Sequence, residues 1–409
     1  MKLQEHTVSK HNFEECMKCT VCTVYCPVLQ VNPRYPGPKQ AGPDGERLRL
    51  KDPYFFSYAL KYCMNCKRCE VACPSGVKIG DIIQSARLKY AGHKLRDWAL
   101  ANTDLVGGMA SPFAPVVNGV LGLRPVKTLM HSWMGVDAHR TFPAYSARKF
   151  TSWMRKQDQS GFKKFVTFFH GCYVNYNYPQ LGKDLVKLVN AAGYGVHLLE
   201  KEKCCGVALM SNSMGAQARR QGEINLASMR KAIAAGEDVL TVSTTCTFTM
   251  RDEYPHVLEL DNADVRPHLM LLSKWLYQKM ESGEVKLNFR KDLHLKIAYH
   301  TSCHMQKLGW RNYTLELLKK IPGVEIVEME QQCCGIAGTF GFKKENYAYS
   351  QAIGGRLFDE ISAARVALGA QSDPGFVVCT ECETCKWQIE MSAGVPVMNP
   401  VSILALAVE

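Results

Sequence analysis

The sequence lacks the marks of a secreted protein and of a nucleotide-binding enzyme. Its first residues, MKLQEHTVSKHNFEEC, are polar and charged and contain no apolar stretch of the kind a signal peptide needs. No G-x-G-x-x-G follows a predicted strand, so no flavin or nicotinamide site is visible. No nucleic-acid-binding module is recognisable, although the formal net charge is +12. We therefore expect a cytoplasmic protein with no flavin of its own and no nucleic-acid partner.

Cysteine, in contrast, is plentiful, with 18 in a chain of 409 residues. Because cytoplasmic thiols are kept reduced, this number indicates metal or redox chemistry and not a disulfide framework. Hydrophobic residues make up 46% of the chain and charged residues 22%, which is typical of a folded protein with a core. The basic balance suits an anionic membrane surface or an acidic partner.

Two cysteine runs of identical spacing lie in the first ninety residues. CMKCTVCTVYCP and CMNCKRCEVACP both follow the C-x₂-C-x₂-C-x₃-C-P pattern of bacterial-type ferredoxins. In that pattern three cysteines bind one cubane cluster and the fourth binds the other. The spacing therefore predicts one [4Fe–4S] cluster on Cys16, Cys19, Cys22 and Cys73, and a second on Cys63, Cys66, Cys69 and Cys26. A pair of zinc sites is the alternative, but structural zinc usually takes two well-separated ligand pairs.

An uncharged stretch follows, LVGGMASPFAPVVNGVLGL, from Leu105 to Leu123. Its length approaches that of a membrane span, but Pro112, Pro115 and several glycines are expected to break the helix. No second span is present to pair with the freed backbone groups. A bilayer crossing is therefore not expected.

A basic stretch comes next, because residues 139–164 carry seven Lys or Arg against a single acid. Within SARKFTSWMRKQ, one helical face presents Phe150, Trp153 and Met154, and the opposite face presents Arg148 and Arg155. This pattern predicts a helix in a membrane interface. The alternative is a surface helix packed on the core with a solvated basic side.

The rest of the chain consists of two copies of one unit. Each copy is predicted to run strand–Cys–helix–strand–Cys-Cys-Gly–helix–strand–Cys, which indicates parallel α/β units. Because the cysteine groups all follow strands, they should meet at the carboxyl edge of the sheets. We expect a multidomain α and α/β fold with a helical ferredoxin domain (residues 1–92), a connector (93–160) and two repeats (161–290 and 291–409).

The repeats resemble the Cys-Cys-Gly domains of heterodisulfide reductase B subunits, in which five cysteines hold a non-cubane [4Fe–4S] cluster. By that resemblance the second repeat holds such a cluster on Cys303, Cys333, Cys334, Cys382 and Cys385. The first repeat offers a further site, with or without a cluster, on Cys172, Cys204, Cys205 and Cys246.

The last strands of the two repeats can be aligned by their cysteines. We place Cys246 opposite Cys382, so that Thr249 stands opposite Cys385 and Ser243 opposite Cys379. On this alignment Cys379 is an extra buried thiol. Zinc is again the alternative for these sites. The histidines beside the first cysteines, which are His170, His300 and His304, are interpreted as tuning or packing residues and not as ligands.

Over its whole length the chain resembles the C subunits of anaerobic glycerol-3-phosphate dehydrogenases. The segments that carry the resemblance are YPGPKQAGPDGERLRLKD, HGCYVNYNYPQLGKDL, STTCTFTMRDEYP, CCGIAGTFGFKKENY and CETCKWQIEMS. It implies an electron-transfer subunit that serves flavoprotein A and B subunits, passes electrons to menaquinone and tethers them to the inner membrane. Such a protein would lie peripherally on the cytoplasmic face.

Other proteins combine the same domains, so alternatives remain. A heterodisulfide reductase-like enzyme would use the repeats for disulfide chemistry, and glycolate or lactate oxidases have related iron–sulfur subunits. A zinc-stabilised scaffold is a third class. Fully thiolate-ligated cubane clusters have no open position for a substrate, which favours electron transfer over catalysis.

Overall fold

The computed structural model describes residues 12–409, and most of the polar N-terminal stretch (residues 1–11) lies outside them. The α-helices are α1 Val21–Val24, α2 Pro27–Val31, α3 Gly45–Arg49, α4 Ser57–Leu60, α5 Arg68–Val71, α6 Ile79–Tyr90, α7 Leu95–Ala101, α8 Thr103–Ala110, α9 Ala114–Gly122, α10 Arg124–Leu129, α11 Phe150–Met154, α12 Gly171–Tyr176, α13 Pro179–Ala191, α14 Val207–Ser211, α15 Gly215–Ala234, α16 Thr244–Phe248, α17 Tyr254–Val257, α18 Leu272–Glu281, α19 Cys303–Leu308, α20 Arg311–Lys319, α21 Tyr347–Ala367, α22 Glu383–Ala393 and α23 Pro400–Ala407.

Shorter helical turns join some of these helices. The 3₁₀ turns are Phe13–Glu15, Ser111–Phe113, Arg266–His268, Phe340–Phe342 and Lys344–Asn346, and the π turns are Gln40–Asp44, Met130–Met134 and Thr249–Glu253. The strands are β1 Phe165–Phe168, β2 Gly195–Leu198, β3 Val239–Thr241, β4 Leu269–Leu271, β5 Leu295–Tyr299, β6 Val324–Glu328, β7 Phe376–Cys379 and β8 Val397–Met398.

The two repeats form two parallel sheets of the same topology. Their strand orders are β2-β1-β3-β4 and β6-β5-β7-β8, and every pairing within them is parallel. The predicted α/β repeats are confirmed, and each carries one more strand than predicted. One hydrophobic core spans both repeats, and within it α13 of the first repeat packs against α23 at the end of the second. The domain boundaries stay a prediction.

The ferredoxin part is helical, with short helices between the cysteine runs. In both runs the residues on either side of the second cysteine have a positive φ. They are Lys18 and Thr20 in the first run and Asn65 and Lys67 in the second. Non-glycine residues adopt this conformation at a cost of roughly 1–3 kcal/mol, and only where the surroundings enforce it. The repeated turns bring successive cysteines of one run to the same side of the loop.

The uncharged connector is helical and does not break where expected. Helix α8 passes through the turn Ser111–Phe113 directly into α9. Pro112 and Pro115 both occupy first-turn positions, where the missing N–H breaks no helical bond. The resulting stretch Thr103–Gly122 is long and apolar enough to span a membrane by length and composition, and 22% of its 18-residue apolar window is buried.

The short basic helix α11 does not have an exposed apolar face. Phe150 and Met154 are buried in the shared core, and the Phe150 ring meets that of Phe168 at 5.5 Å. Trp153 packs partly against the same core. The prediction that these residues contact a membrane is wrong, because the amphipathic helix covers the first repeat. Arg148 and Arg155 are exposed on its solvent side.

Candidate metal centres

The thiols of the first predicted ferredoxin set act electrostatically on one another. Burial raises the pKa of the Cys22 thiol, and the thiols of Cys16, Cys73 and Cys19 raise it further. Cys73 belongs to the second run, so the two runs contribute to one group. Cys19 is exposed, which places this group near the protein surface.

The second ferredoxin set lies deeper. Cys26, Cys63, Cys66 and Cys69 line one cavity of about 20 Å³, and Cys26 is the member that comes from the first run. Burial raises the pKa of Cys26 to about 12, with Cys66 and Cys63 adding to the shift. Tyr35, fully buried, also lines this cavity.

Cys66 also contacts the second repeat. Its thiol shares a hydrogen bond with Cys303 and lies close to Cys333, and the bond from Cys303 lowers the pKa of Cys66. The deeper ferredoxin set and the thiols of the second repeat are therefore in direct contact.

The five cysteines of the second repeat form a row. Cys303 is hydrogen-bonded to Cys333, whose thiol also bonds the adjacent Cys334. Cys334 Sγ donates to Cys385 Sγ at 3.3 Å, and Cys385 bonds Cys382. The bond from Cys303 brings the pKa of Cys333 well below its usual value, and the bond from Cys385 lowers that of Cys382 to about 5. Cys333 and Cys382 are thus the members of the row that favour the thiolate, the form that binds metal, whereas the pKa values of Cys303, Cys334 and Cys385 are raised by their neighbours in the row and by burial.

The four cysteines of the first repeat form a similar but shorter row. Cys172 bonds Cys204, Cys204 bonds Cys205, and Cys205 bonds Cys246. The bond from Cys172 lowers the pKa of Cys204 well below its usual value, as happens at Cys333. In both repeats the first cysteine of the adjacent pair is the acidic one.

Backbone register corrects the alignment of the two repeats. In the first repeat, the last backbone hydrogen bond from the end of β1 to the third strand runs from Phe169 N to Leu240 O at 2.9 Å. In the second repeat, the equivalent bond from the end of β5 runs from His300 N to Cys379 O, also at 2.9 Å. Three residues further on from these acceptors lie Ser243 and Cys382.

Helix capping gives the same correspondence. Ser243 is the N-cap of α16 and Cys382 is the N-cap of α22, with φ, ψ of −116°, 121° and −117°, 112°. Ser243 therefore stands opposite Cys382, and Cys246 stands opposite Cys385. The predicted pairings of Cys246 with Cys382 and of Thr249 with Cys385 are wrong by three residues.

Two other predicted correspondences change with this register. Cys379 faces Leu240 and not Ser243, and it lies in strand β7, fully buried. Thr249 no longer stands opposite Cys385 in this register, and its hydroxyl donates a hydrogen bond to Glu253 Oε2 at 3.0 Å.

The glycine of each Cys-Cys-Gly turns the chain sharply. Gly206 and Gly335 have φ of +88° and +85°. A Cβ on Gly335 would lie 2.0 Å from the carbonyl oxygen of Ser350 in α21. The turn at Gly335 therefore has no room for a side chain.

One cavity of about 450 Å³ joins the two repeats, the ferredoxin domain and the connector. Cys66 and every predicted ligand in both repeats line it. Its outer wall is apolar and includes Val106, Val117 and Leu121 of the connector helix. The thiols of both repeats therefore face one common space.

The three histidines differ in their surroundings. His170 is ion-paired with Glu202 at 3.0 Å, whereas His304 stacks on Phe248 at 4.8 Å and reaches Asn65 O at 3.2 Å. His300 is fully buried, and in the described part of the chain neither of its ring nitrogens has a hydrogen-bond partner. Burial lowers its pKa to about 4, so it is neutral at pH 7.

These features fit iron–sulfur clusters. The thiols stand in rows and not around one point, and each row contains a thiol with a lowered pKa. The buried imidazole of His300 near Cys333 has an N–H with no hydrogen-bond partner among the described residues, which could donate to a cluster. Among residues 12–409, no three or more His, Cys, Asp or Glu side chains are grouped as for a single metal ion.

Comparison with known proteins agrees with this architecture. A 4Fe-4S dicluster domain family matches residues 12–77, and a cysteine-rich domain family matches residues 166–251 and 297–390. The chain is 54% identical over 401 residues, 97% of its length and 98% of the relative, to the C subunit of the anaerobic glycerol-3-phosphate dehydrogenase of Escherichia coli (strain K12).

More distant relatives share the same parts. The B subunit of the fumarate reductase (CoM/CoB) of Methanothermobacter marburgensis is 23% identical over 96% of this chain and 72% of the relative. Lactate utilization protein A of Geobacillus kaustophilus is 30% identical over 44% of this chain and 74% of the relative. The chain is thus an iron–sulfur protein in which a dicluster ferredoxin domain precedes two cysteine-rich domains. It belongs to the family of anaerobic glycerol-3-phosphate dehydrogenase C subunits.

Proposed function

We propose that this chain carries electrons from a glycerol-3-phosphate dehydrogenase to a membrane quinone. The observation that supports this proposal is a continuous series of thiols. It extends from the ferredoxin cysteines through Cys66 and Cys303 into the cavity shared by both repeats. A path of this kind has an entry at the surface near Cys19 and an end beneath the apolar connector.

The cofactors follow from the cysteine sets. Cubane [4Fe–4S] clusters would be held by Cys16, Cys19, Cys22 and Cys73 and by Cys63, Cys66, Cys69 and Cys26, and a non-cubane cluster by Cys303, Cys333, Cys334, Cys382 and Cys385. A further cluster would lie on Cys172, Cys204, Cys205 and Cys246. Such clusters accept and release single electrons.

The reaction served by the chain is set by its flavoprotein A and B partners. Glycerol 3-phosphate loses two electrons and two protons to become dihydroxyacetone phosphate, and menaquinone takes up two electrons and two protons to become the quinol. In this chain, buried residues hold the ligands and exclude water. Arg87, fully buried, fixes the loop of the deeper ferredoxin set through Leu60 O.

Membrane attachment is proposed at the connector, in place of α11. The side chains of Phe113, Val116 and Trp133 are 66%, 67% and 85% exposed, and other apolar side chains of the connector are exposed to a smaller degree. A helix that is apolar on all sides is normally buried, so this surface calls for a cover. We assign the cover to the cytoplasmic face of the inner membrane.

The charges around this surface favour lipid over a protein cover. Between residues 93 and 134 the only acids are Asp97, which is buried, and Asp104, which is half-buried. Arg124 is exposed in the same stretch and would meet anionic headgroups. A lipid-soluble acceptor would then enter the 450 Å³ cavity from the membrane side, past Val117 and Leu121.

Anaerobic purification and a redox titration followed by EPR test the proposal. With all sites filled, iron and acid-labile sulfide should reach about sixteen per chain, at about four per cluster. Glycerol 3-phosphate should reduce the clusters only when the flavoprotein partners are added. Zinc without iron, or turnover of a disulfide substrate by the chain alone, would contradict it.

A further inference from the structure

The first repeat lacks a thiol at the position of Cys382, and the structure places oxygen atoms there. We propose that the Glu383 carboxylate, which reaches over from the second repeat and is held by the Ser243 hydroxyl, is the non-thiolate ligand of the first-repeat cluster. The inference rests on the proposed cluster at Cys172, Cys204, Cys205 and Cys246.

Ser243 occupies the same place in its repeat as Cys382 does in the other. The hydroxyl of Ser243 accepts a hydrogen bond from Cys246 N at 3.3 Å, and Cys382 begins α22 as its N-cap with nearly the same φ and ψ. Each cap precedes by three residues the thiol that neighbours the second cysteine of the adjacent pair, which is Cys246 beside Cys205 and Cys385 beside Cys334. The row of the first repeat is thus complete except that oxygen replaces sulfur at one position.

Glu383 brings a carboxylate to that position. Ser243 Oγ donates to Glu383 Oε2 at 2.8 Å. Glu383 and Ser243 line one cavity of about 40 Å³ together with Cys172 and Cys246. Glu383 also acts electrostatically on Cys246. The carboxylate therefore faces the thiols of the first repeat, although it follows Cys382 directly in sequence.

The contact between the repeats fixes this arrangement. Thr244 N donates to Glu381 O at 3.1 Å, and Thr245 Oγ1 lies 3.7 Å from Cys382 Sγ. The start of α22 is therefore pinned against the start of α16. Each helix begins with the cap that faces the other repeat.

The side chains that act most strongly on Glu383 are Cys382, Ser243 and Cys204, and none of these is a cation. Lys386, which lines the same cavity, is committed to Glu390 Oε1 and Val397 O. Glu383 is half-buried, and a carboxylate in such a place without a paired cation is unfavourable, so a bound iron would supply the missing positive charge. Carboxylate oxygen is an established ligand type for iron.

The consequence is that the two repeats hold unlike clusters. Replacement of a thiolate by another ligand type changes the potential and spectrum of an iron–sulfur centre. The second-repeat cluster has sulfur at all five positions, and the first-repeat cluster has sulfur at four and carboxylate oxygen at one.

The test uses the full chain, purified anaerobically with ⁵⁷Fe, and reads iron content, Mössbauer spectra and EPR. Ser243→Cys should supply the missing thiolate and make the first-repeat spectrum match that of the second repeat. Glu383→Gln should change the first-repeat spectrum or release its iron. Ser243→Ala, which frees Glu383, should broaden the same signal.

Two matched variants serve as controls. Thr249→Cys adds a thiol at the position that sequence alignment alone would choose, and Glu325→Gln removes an exposed carboxylate from strand β6 of the second repeat. Both should leave the first-repeat spectrum unchanged. An unchanged spectrum in Ser243→Cys and Glu383→Gln, or a changed one in Thr249→Cys, overturns the inference.

Cys204→Ser separates this inference from the proposed function. Loss of about four irons in Cys204→Ser establishes a first-repeat cluster. If its spectrum is then indifferent to Ser243 and Glu383, only the ligand assignment fails. If Cys204→Ser loses no iron, the first-repeat cluster itself is refuted, and the ligand with it, while the ferredoxin path stands.

Discussion

Lys67 Nζ lies 3.2 Å from Glu253 Oε1, and this buried ion pair joins the ferredoxin loop to the first cysteine-rich repeat. Lys67 also contacts Asp81 and Glu70, and Lys307 of the second repeat reaches Glu70 Oε2 at 3.0 Å. Burial opposes the charge of Lys67, but the three carboxylates outweigh it and raise its pKa well above the usual value. Charged side chains from three domains thus meet at one point, two lysines against three carboxylates.

Lys67→Met should destabilise the protein strongly. It leaves Asp81 and Glu253 buried without their cation and Glu70 with Lys307 alone, and breaking a buried pair in this way costs about 3–5 kcal/mol. Anaerobic denaturation followed by the visible absorption of the clusters measures the loss. Lys61→Met, at an exposed lysine of the same domain, should change stability by less than about 0.5 kcal/mol. Equal stability of the two variants would show that the network contributes little.

Cys334→Ser should remove the second-repeat cluster, because Cys334 lies in the middle of the thiol row. We expect a loss of about four irons per chain by metal analysis. Cys379→Ser is the matched control, since Cys379 is buried in strand β7 and its pKa is raised well above the usual value by burial. It should retain the wild-type iron content. Iron loss in Cys379→Ser would make that cysteine a ligand.

His300→Phe should lower the midpoint potential of the second-repeat cluster. The neutral imidazole is buried beside Cys333 with a free N–H, and a donor to cluster sulfur stabilises the reduced, more negative form. A hydrogen bond of about 1 kcal/mol corresponds to a shift of roughly 40 mV for one electron. An EPR-monitored titration measures it. His93→Phe, at an exposed histidine, should leave the potential unchanged.

Trp133→Glu and Phe113→Glu should weaken binding to anionic liposomes at low salt. Both side chains are exposed on the connector, and burying one such ring in lipid is worth about 1.5–3 kcal/mol, or at least a tenfold change in affinity. Sedimentation with vesicles measures the bound fraction. Val366→Glu, at an exposed apolar residue of α21, is the control. Unaltered binding in the connector variants would place the contact elsewhere.

The regular part of the fold could be predicted from the sequence because apolar runs such as FVTFF and LKIAY alternate with helical patterns in both repeats. Strands β4 and β8 are not predicted, because they are short and no cysteine group follows them to mark the end of a strand. The ferredoxin ligand sets stay a prediction from spacing, and the structure places Cys26 of the first run in one cavity with Cys63, Cys66 and Cys69 of the second.

The remaining wrong predictions concern which part of the molecule a given residue pattern packs against. Cys379, Cys382 and Cys385 are equally spaced, so only backbone register shows that Ser243 faces Cys382. The apolar face of Phe150 and Met154 has the same appearance in sequence whether it meets lipid or core. Glu383 could not be foreseen at the first-repeat site, because the contact between the repeats brings it there.

The apolar connector is fastened at its middle. Asn118 Nδ2 donates to Tyr145 O at 2.9 Å, and Asn118 Oδ1 accepts from Tyr145 N at 2.8 Å. A surface held in this way is rigidly attached, because it cannot move independently of the rest of the protein. On a bilayer it would set the tilt of the whole molecule, and with it the direction in which the surface near Cys19 faces the aqueous phase.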